Sequence, residues 1–234
     1  MLKPLVLEFI ASVGITFVMA FSRLNNTSDF FAMGITYFMI IGALSYAFKR
    51  ESGAHFNPVL TISLIITRQI AAKKAVLYVI MQILGSIVGA LLVFIAYKVP
   101  EDAKVSYYGE PKLHAHENFT GAFAELISMF LLVYVYNAII ADVRAPKHIF
   151  GVAIASVYLI SVIAFGVVTG GCVNLVTLIG PSIFSNNFND WLLYIAGQLL
   201  GGIVSGSFYT LFLKKNVTDT DDDEGVTADK LKAS

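Results

Sequence analysis

The sequence predicts an all-α membrane protein of six transmembrane helices and two re-entrant half-helices, arranged as an inverted repeat. Three observations predict it. Of the 234 residues 57% are hydrophobic and 14% charged, and mean hydropathy is +0.75, more apolar surface than a soluble domain of this size can cover. Six apolar stretches each approach the ~20 residues that a spanning helix requires. The chain also superposes on itself when slid by 117 residues.

The six stretches are 5–21, 30–48, 75–97, 119–141, 149–168 and 191–213. The first is longer than a typical signal h-region, contains Glu8 and lacks a small-residue cleavage site, so it is expected to be a permanent helix. Between the second and third span of each half lies a shorter apolar piece, 58–67 and 175–184. At ~1.5 Å per residue each is about half a membrane thick, which predicts re-entrant half-helices. Six spans put both termini on one side. Ten basic residues fall on that side, from Lys3 to Lys215, against Arg23, Lys98, Lys104 and Lys112 on the other, so both termini are expected to be cytoplasmic. Net charge is zero and Cys172 is the single cysteine, which gives no reason to expect nucleic acid as a partner and excludes an intrachain disulfide.

The slide by 117 places Glu8 on Glu125, Gly34 on Gly151 and Asn57 on Asn174, and each Glu precedes its Asn by 49 residues. Gln82/Gly85 and Gln198/Gly201 follow in turn, the second pair one residue nearer. Three spans per half means that the halves enter the membrane from opposite sides, which places a functional site at their interface near the midplane. Irregular backbone at that depth must line a cavity or be buried in protein, so Gly53, Ala54, His55, Gly170 and Cys172 are candidate pore-lining residues. An Asn that opens a half-helix can cap it through its side-chain oxygen and still present its amide donors. Glu8 and Glu125 lie inside spans, where an ionisable group is costly and serves structure or transport.

The stretch Ser52-Gly53-Ala54-His55-Phe56-Asn57-Pro58-Val59 resembles the first Asn-Pro-Ala box of the aquaporins (major intrinsic proteins), with Val for Ala. The stretch Thr169-Gly170-Gly171-Cys172-Val173-Asn174-Leu175-Val176-Thr177 resembles the second box, with Leu for Pro and Val for Ala. The resemblance covers nearly the whole chain before residue 215. It implies an aquaporin-like channel domain over 1–215, with halves at about 1–100 and 118–215, followed by an acidic tail, 216–234, expected to be disordered and cytoplasmic. It also implies that Glu8 and Glu125 accept hydrogen bonds from the re-entrant loops, and that paired half-helix dipoles disfavour cations, as is known for pores of this type. Carried over from the boxes, the selectivity filter falls at Tyr37, Val162, Gly171 and Thr177. Thr177 stands where the family has arginine, so a wide, arginine-free filter is expected, one that admits glycerol, urea, ammonia or peroxide besides water. The resemblance implies a homotetramer in lipid and no cofactor or metal.

A non-conducting membrane protein of the same fold and a coupled secondary transporter are the competing readings. No Ser/His, Cys/His or paired-Asp arrangement occupies the spans, which argues against an enzyme. His55 is expected to pack and hydrogen-bond near the cytoplasmic half of the pore. Cys172 is read either as a small packed hydrophobe or as a thiol open to mercurials. Gly85 and Gly89 in the third span and Gly201 in the sixth permit the close helix approach that packing between or within subunits needs.

Overall fold

The structure, a computed structural model, describes residues 2–25, 29–98, 107–113, 118–141 and 145–213. The acidic tail, His114 and His116 lie outside the described residues. Helices α1 (Leu2–Asn25), α2 (Phe30–Ser52), α3 (Pro58–Ile66) and α4 (Ala72–Ala96) form one half. The other contains α5 (Asn118–Ala141), α6 (Phe150–Thr169), α7 (Val176–Ser185) and α8 (Trp191–Phe208). A 3₁₀ turn, Lys147–Ile149, precedes α6, and a π turn, Tyr209–Leu213, follows α8. Among the described residues six helical segments are long and apolar enough to cross a membrane, and α3 and α7 are the two short ones.

Packing repeats between the halves. Helix α1 packs on α4 as α5 packs on α8, α1 on α2 as α5 on α6, and α7 touches α1 and α4 as α3 touches α5 and α8. The pair α2·α6 lies between the halves and is its own counterpart. Glycine sets the tightest crossings. A Cβ on Gly85 would come within 2.5 Å of the Phe9 carbonyl oxygen, and one on Gly201 would overlap the carbonyl oxygen of Leu126, the repeat counterpart of Phe9. These small residues are therefore used inside the chain, and they do not support a subunit interface. The outer surface is apolar, with Phe31, Met39, Leu84, Phe119 and Leu192 exposed, as a lipid-facing surface should be.

Both re-entrant loops start with the same device. Helix α2 ends at Gly53, φ +93°, and α6 at Gly170, φ +62°, each a left-handed cap that hydrogen-bonds back into its helix. Positive φ then recurs at Ala54 and Phe56 in the first loop and at Gly171 and Val173 in the second, the same offsets from the Asn. Backbone in the left-handed region is costly for residues with a side chain, so something must hold it. That support comes from two carboxylates.

Candidate functional site

Glu8 on α1 accepts hydrogen bonds from the backbone N–H of His55 (3.1 Å) and Phe56 (2.7 Å) and from the Gln82 side-chain amide (2.8 Å). Glu125 on α5 accepts from Val173 N–H (3.1 Å) and from the Gln198 amide (2.8 Å). Both carboxylates are buried. Each loop is thus tied to its own half by a Glu–Gln clamp, an arrangement that turns a costly buried carboxylate into a satisfied one. Tyrosines add to it: Tyr78 donates to Ser52 O and Tyr194 to Thr169 O, both at 2.8 Å, and Tyr136 donates to Gly53 O at 2.9 Å.

The clamps aim the asparagines at one another. Asn57 Oδ1 accepts from Val59 N (2.9 Å) and Leu60 N (3.3 Å), capping α3 with Pro58 at its first position, where a missing N–H costs nothing. Asn174 Oδ1 accepts from Val176 N at 3.1 Å. Leu175 takes φ −60°, the angle that proline would fix. The amide of Asn57 donates across the repeat interface to Val173 O (3.2 Å), and that of Asn174 to Phe56 O (2.9 Å). The N-termini of α3 and α7 therefore meet at the centre, each bringing the positive end of its peptide dipoles.

One residue at this centre carries no signal in the boxes. Tyr158 on α6 receives a hydrogen bond from the Asn57 amide at 3.3 Å and stacks on Tyr37 of α2, ring centroids 5.2 Å apart. It belongs to a stripe of residues four apart, Ile154, Tyr158 and Val162, which faces the stripe Tyr37, Ile41 and Ser45 on the packed helix α2. All six are buried. Val162 and the one-turn spacing of a helix face point to Tyr158. The hydroxyl of Ser45 has no hydrogen-bond partner among the described residues, a polar group placed in the stripe where a small polar molecule would satisfy it.

The four residues expected from sequence to form a filter, Tyr37, Val162, Gly171 and Thr177, lie near one another at the other end of these stripes. Tyr37 Oη lies 2.9 Å from Thr177 Oγ1 and donates to Cys172 O at 2.8 Å. A Cβ on Gly171 would sit 3.1 Å from Val162 Cγ1. An arginine from elsewhere in the chain reaches these positions, which the residue at position 177 does not foretell. Arg23, counted from sequence among the basic residues of the far side, is the third residue from the end of α1 and is buried against Gly171 and Thr177. Its Nη2 donates to Gly171 O at 2.8 Å and to Thr177 Oγ1 at 3.3 Å, its Nε to Gly170 O and its Nη1 to Gly109 O, both at 3.3 Å. Tyr37, Val162 and Thr177 are buried and packed closely together.

Cys172 contributes its carbonyl to the filter, while its buried thiol lies 3.5 Å from the Gln198 amide nitrogen and 3.7 Å from Asn174 O. His55 Nδ1 lies 3.2 Å from Thr61 Oγ1, and its ring packs edge-on against Tyr78 and Tyr136. It also lines a cavity of about 290 Å³ with Gly53, Lys49, Arg50 and Lys74. Ala54 is buried and donates its N–H to Ser52 Oγ at 3.0 Å.

The chain is 29% identical over 224 residues to aquaporin-4 of Rattus norvegicus, 88% of this chain and 66% of that one. It is 28% identical over 196 residues to nodulin-26 of Glycine max, 80% of this chain and 67% of that one. The aligned stretch is 64% of the length of one Arabidopsis thaliana relative and 77% of that of a Nicotiana alata NIP-type relative, so the chain spans only part of the length of the curated relatives it matches. The fold is that of the aquaglyceroporin from Plasmodium falciparum, with TM-score 0.74 over 91% of this chain and 96% of that one at 22% identity. With residues 1–209 matched by the model of the major intrinsic protein family, and with two asparagine-capped half-helices meeting between inverted halves, the chain belongs to that family.

Proposed function

We propose that this chain is a passive transmembrane channel for water and small uncharged solutes of the glycerol, urea, ammonia and peroxide class. The observation that carries this reading is the meeting of two capped half-helix N-termini, whose asparagines face each other across the repeat interface. A site of this kind offers donors and partial positive charge to a neutral molecule and disfavours a cation. The unpartnered Ser45 hydroxyl along the same stripes supports a polar passenger. Asn57, Pro58, Val59, Asn174, Leu175 and Val176 would form the centre, and Tyr37, Val162, Gly171 and Thr177 the constriction. The excess of basic residues beside the termini supports cytoplasmic ends, and the apolar exterior supports lipid as surroundings. A homotetramer follows from family membership alone.

A second reading, a non-conducting or weakly conducting protein of the same fold, is favoured by Tyr158. Its hydroxyl takes up an Asn57 donor that a passing molecule would use. Stopped-flow light scattering on proteoliposomes separates the two. Osmotic or solute flux above empty liposomes, independent of ion gradients, supports the channel. Flux that arises only in Tyr158→Ala supports a centre closed by this side chain, and no flux in either protein refutes conduction.

A further inference from the structure

We propose that Arg23, delivered from the end of α1, is the charged selectivity element of the constriction, an inference that rests on the channel reading above. Its guanidinium reaches two of the four filter positions directly, Gly171 through its carbonyl and Thr177 through its hydroxyl. Among the described residues the ion pair found is Lys3–Glu51, at the surface near the start of α1; the direct partners of Arg23 are carbonyl and hydroxyl oxygens, and Glu125 acts on its charge only from longer range. Tyr107, outside the spans, supplies no counter-charge either: burial pushes its phenol up to about 12, against the opposing pull of Arg23. A buried cation held by neutral acceptors keeps its long-range field, and that field is strongest where the dielectric is low.

Thr177 and Arg23 form a matched pair. Arginine at both positions would crowd two guanidinium groups into the space where Nη2 now lies 3.3 Å from the Thr177 hydroxyl, with strong repulsion. The short hydroxyl at 177 leaves room for the charge to arrive from α1. The repeat separates this role from general loop support. The counterpart of Arg23 is Ile140 and that of Thr177 is Leu60, so the first re-entrant loop holds the same positive-φ geometry with no arginine. Each loop already has its own Glu–Gln clamp. Arg23 is a one-sided addition at the end of the pore where the filter lies. It repels cations and protons, and its planar fork fixes the Gly171 carbonyl and the Thr177 hydroxyl that an uncharged solute would meet.

The test uses full-length protein in proteoliposomes, in whichever background conducts, wild type or Tyr158→Ala. Proton influx under an imposed potential is read by an internal pH dye, and osmotic flux is read on the same vesicles. Arg23→Gln is expected to raise proton leak relative to water flux by about tenfold or more, the scale on which a fixed charge alters local ion concentration. Thr177→Arg added to Arg23→Gln should return the leak to its starting level, and Arg23→Lys should keep it there while altering glycerol flux, since the charge stays and the fork is lost. An unchanged leak-to-water ratio in Arg23→Gln overturns the proposal with the channel reading intact. If Arg23→Gln does not fold, a double variant or Arg23→Lys that leaks above its background overturns it instead. Absence of water and solute flux in both backgrounds overturns the channel reading and this inference together.

Discussion

Glu8 serves three donors, two of them backbone N–H groups in left-handed or adjoining residues. Each donor left unsatisfied costs about 1–3 kcal/mol, so Glu8→Ala should destabilise the fold by about 3 kcal/mol or more, measured as a lower melting temperature of the protein in detergent. A melting temperature equal to wild type would mean that the loop does not depend on this carboxylate. Cys172 is buried with its thiol turned to Gln198 and Asn174, and the expected outcome is that mercurials leave flux and thiol titre unchanged in the native protein. The asparagines and glutamates were legible in the sequence because a repeat doubles each signal. Arg23 was not, since a basic residue at a helix end reads as an interfacial charge and its partner Thr177 lies 154 residues away. Tyr158 was legible in principle, one turn before Val162, but neither box names it.

At the scale of elements the half-helices are held by what precedes them. Gly53 and Gly170 end α2 and α6 in the left-handed region, and the chain then turns back into the membrane to start α3 and α7. The missing proline of the second box changes little in this geometry, because Leu175 already has φ −60°. Leu175→Pro should therefore fold with a melting temperature equal to or above wild type, through the entropy that proline removes from the unfolded chain. A large loss of stability would show that the Leu175 N–H has an essential acceptor. Helix crossings behave differently. Gly85→Leu would force a side chain into the Phe9 carbonyl, and overpacking of this kind costs about 1–3 kcal/mol or more, visible as aggregation or a lowered melting temperature. The six spans and two half-helices were legible from apolar length alone, with ends shifted by a few residues. Whether the glycines in α4 and α8 served packing within the chain or between chains was not, because spacing marks a close contact without naming the partner helix.

For the whole molecule the inverted repeat accounts for the architecture, and its breaks account for the specific character of the pore. Matching residues build matching clamps, caps and crossings in both halves. The unmatched residues Arg23 and Thr177 meet at one end, and Tyr158 faces Asn57 at the centre opposite the stripe that carries its counterpart Ile41. The surroundings expected from position 177 alone are open and uncharged; in the folded chain Arg23 of α1 and Tyr37 of α2 lie against Thr177. The Tyr158 hydroxyl held on the Asn57 amide makes conduction itself the central question. Osmotic water permeability of proteoliposomes containing the wild type and Tyr158→Ala, each against empty liposomes, answers it most directly. The account predicts flux above the empty vesicles in at least Tyr158→Ala, and higher there than in wild type. Permeability equal to that of empty liposomes in both proteins would contradict it.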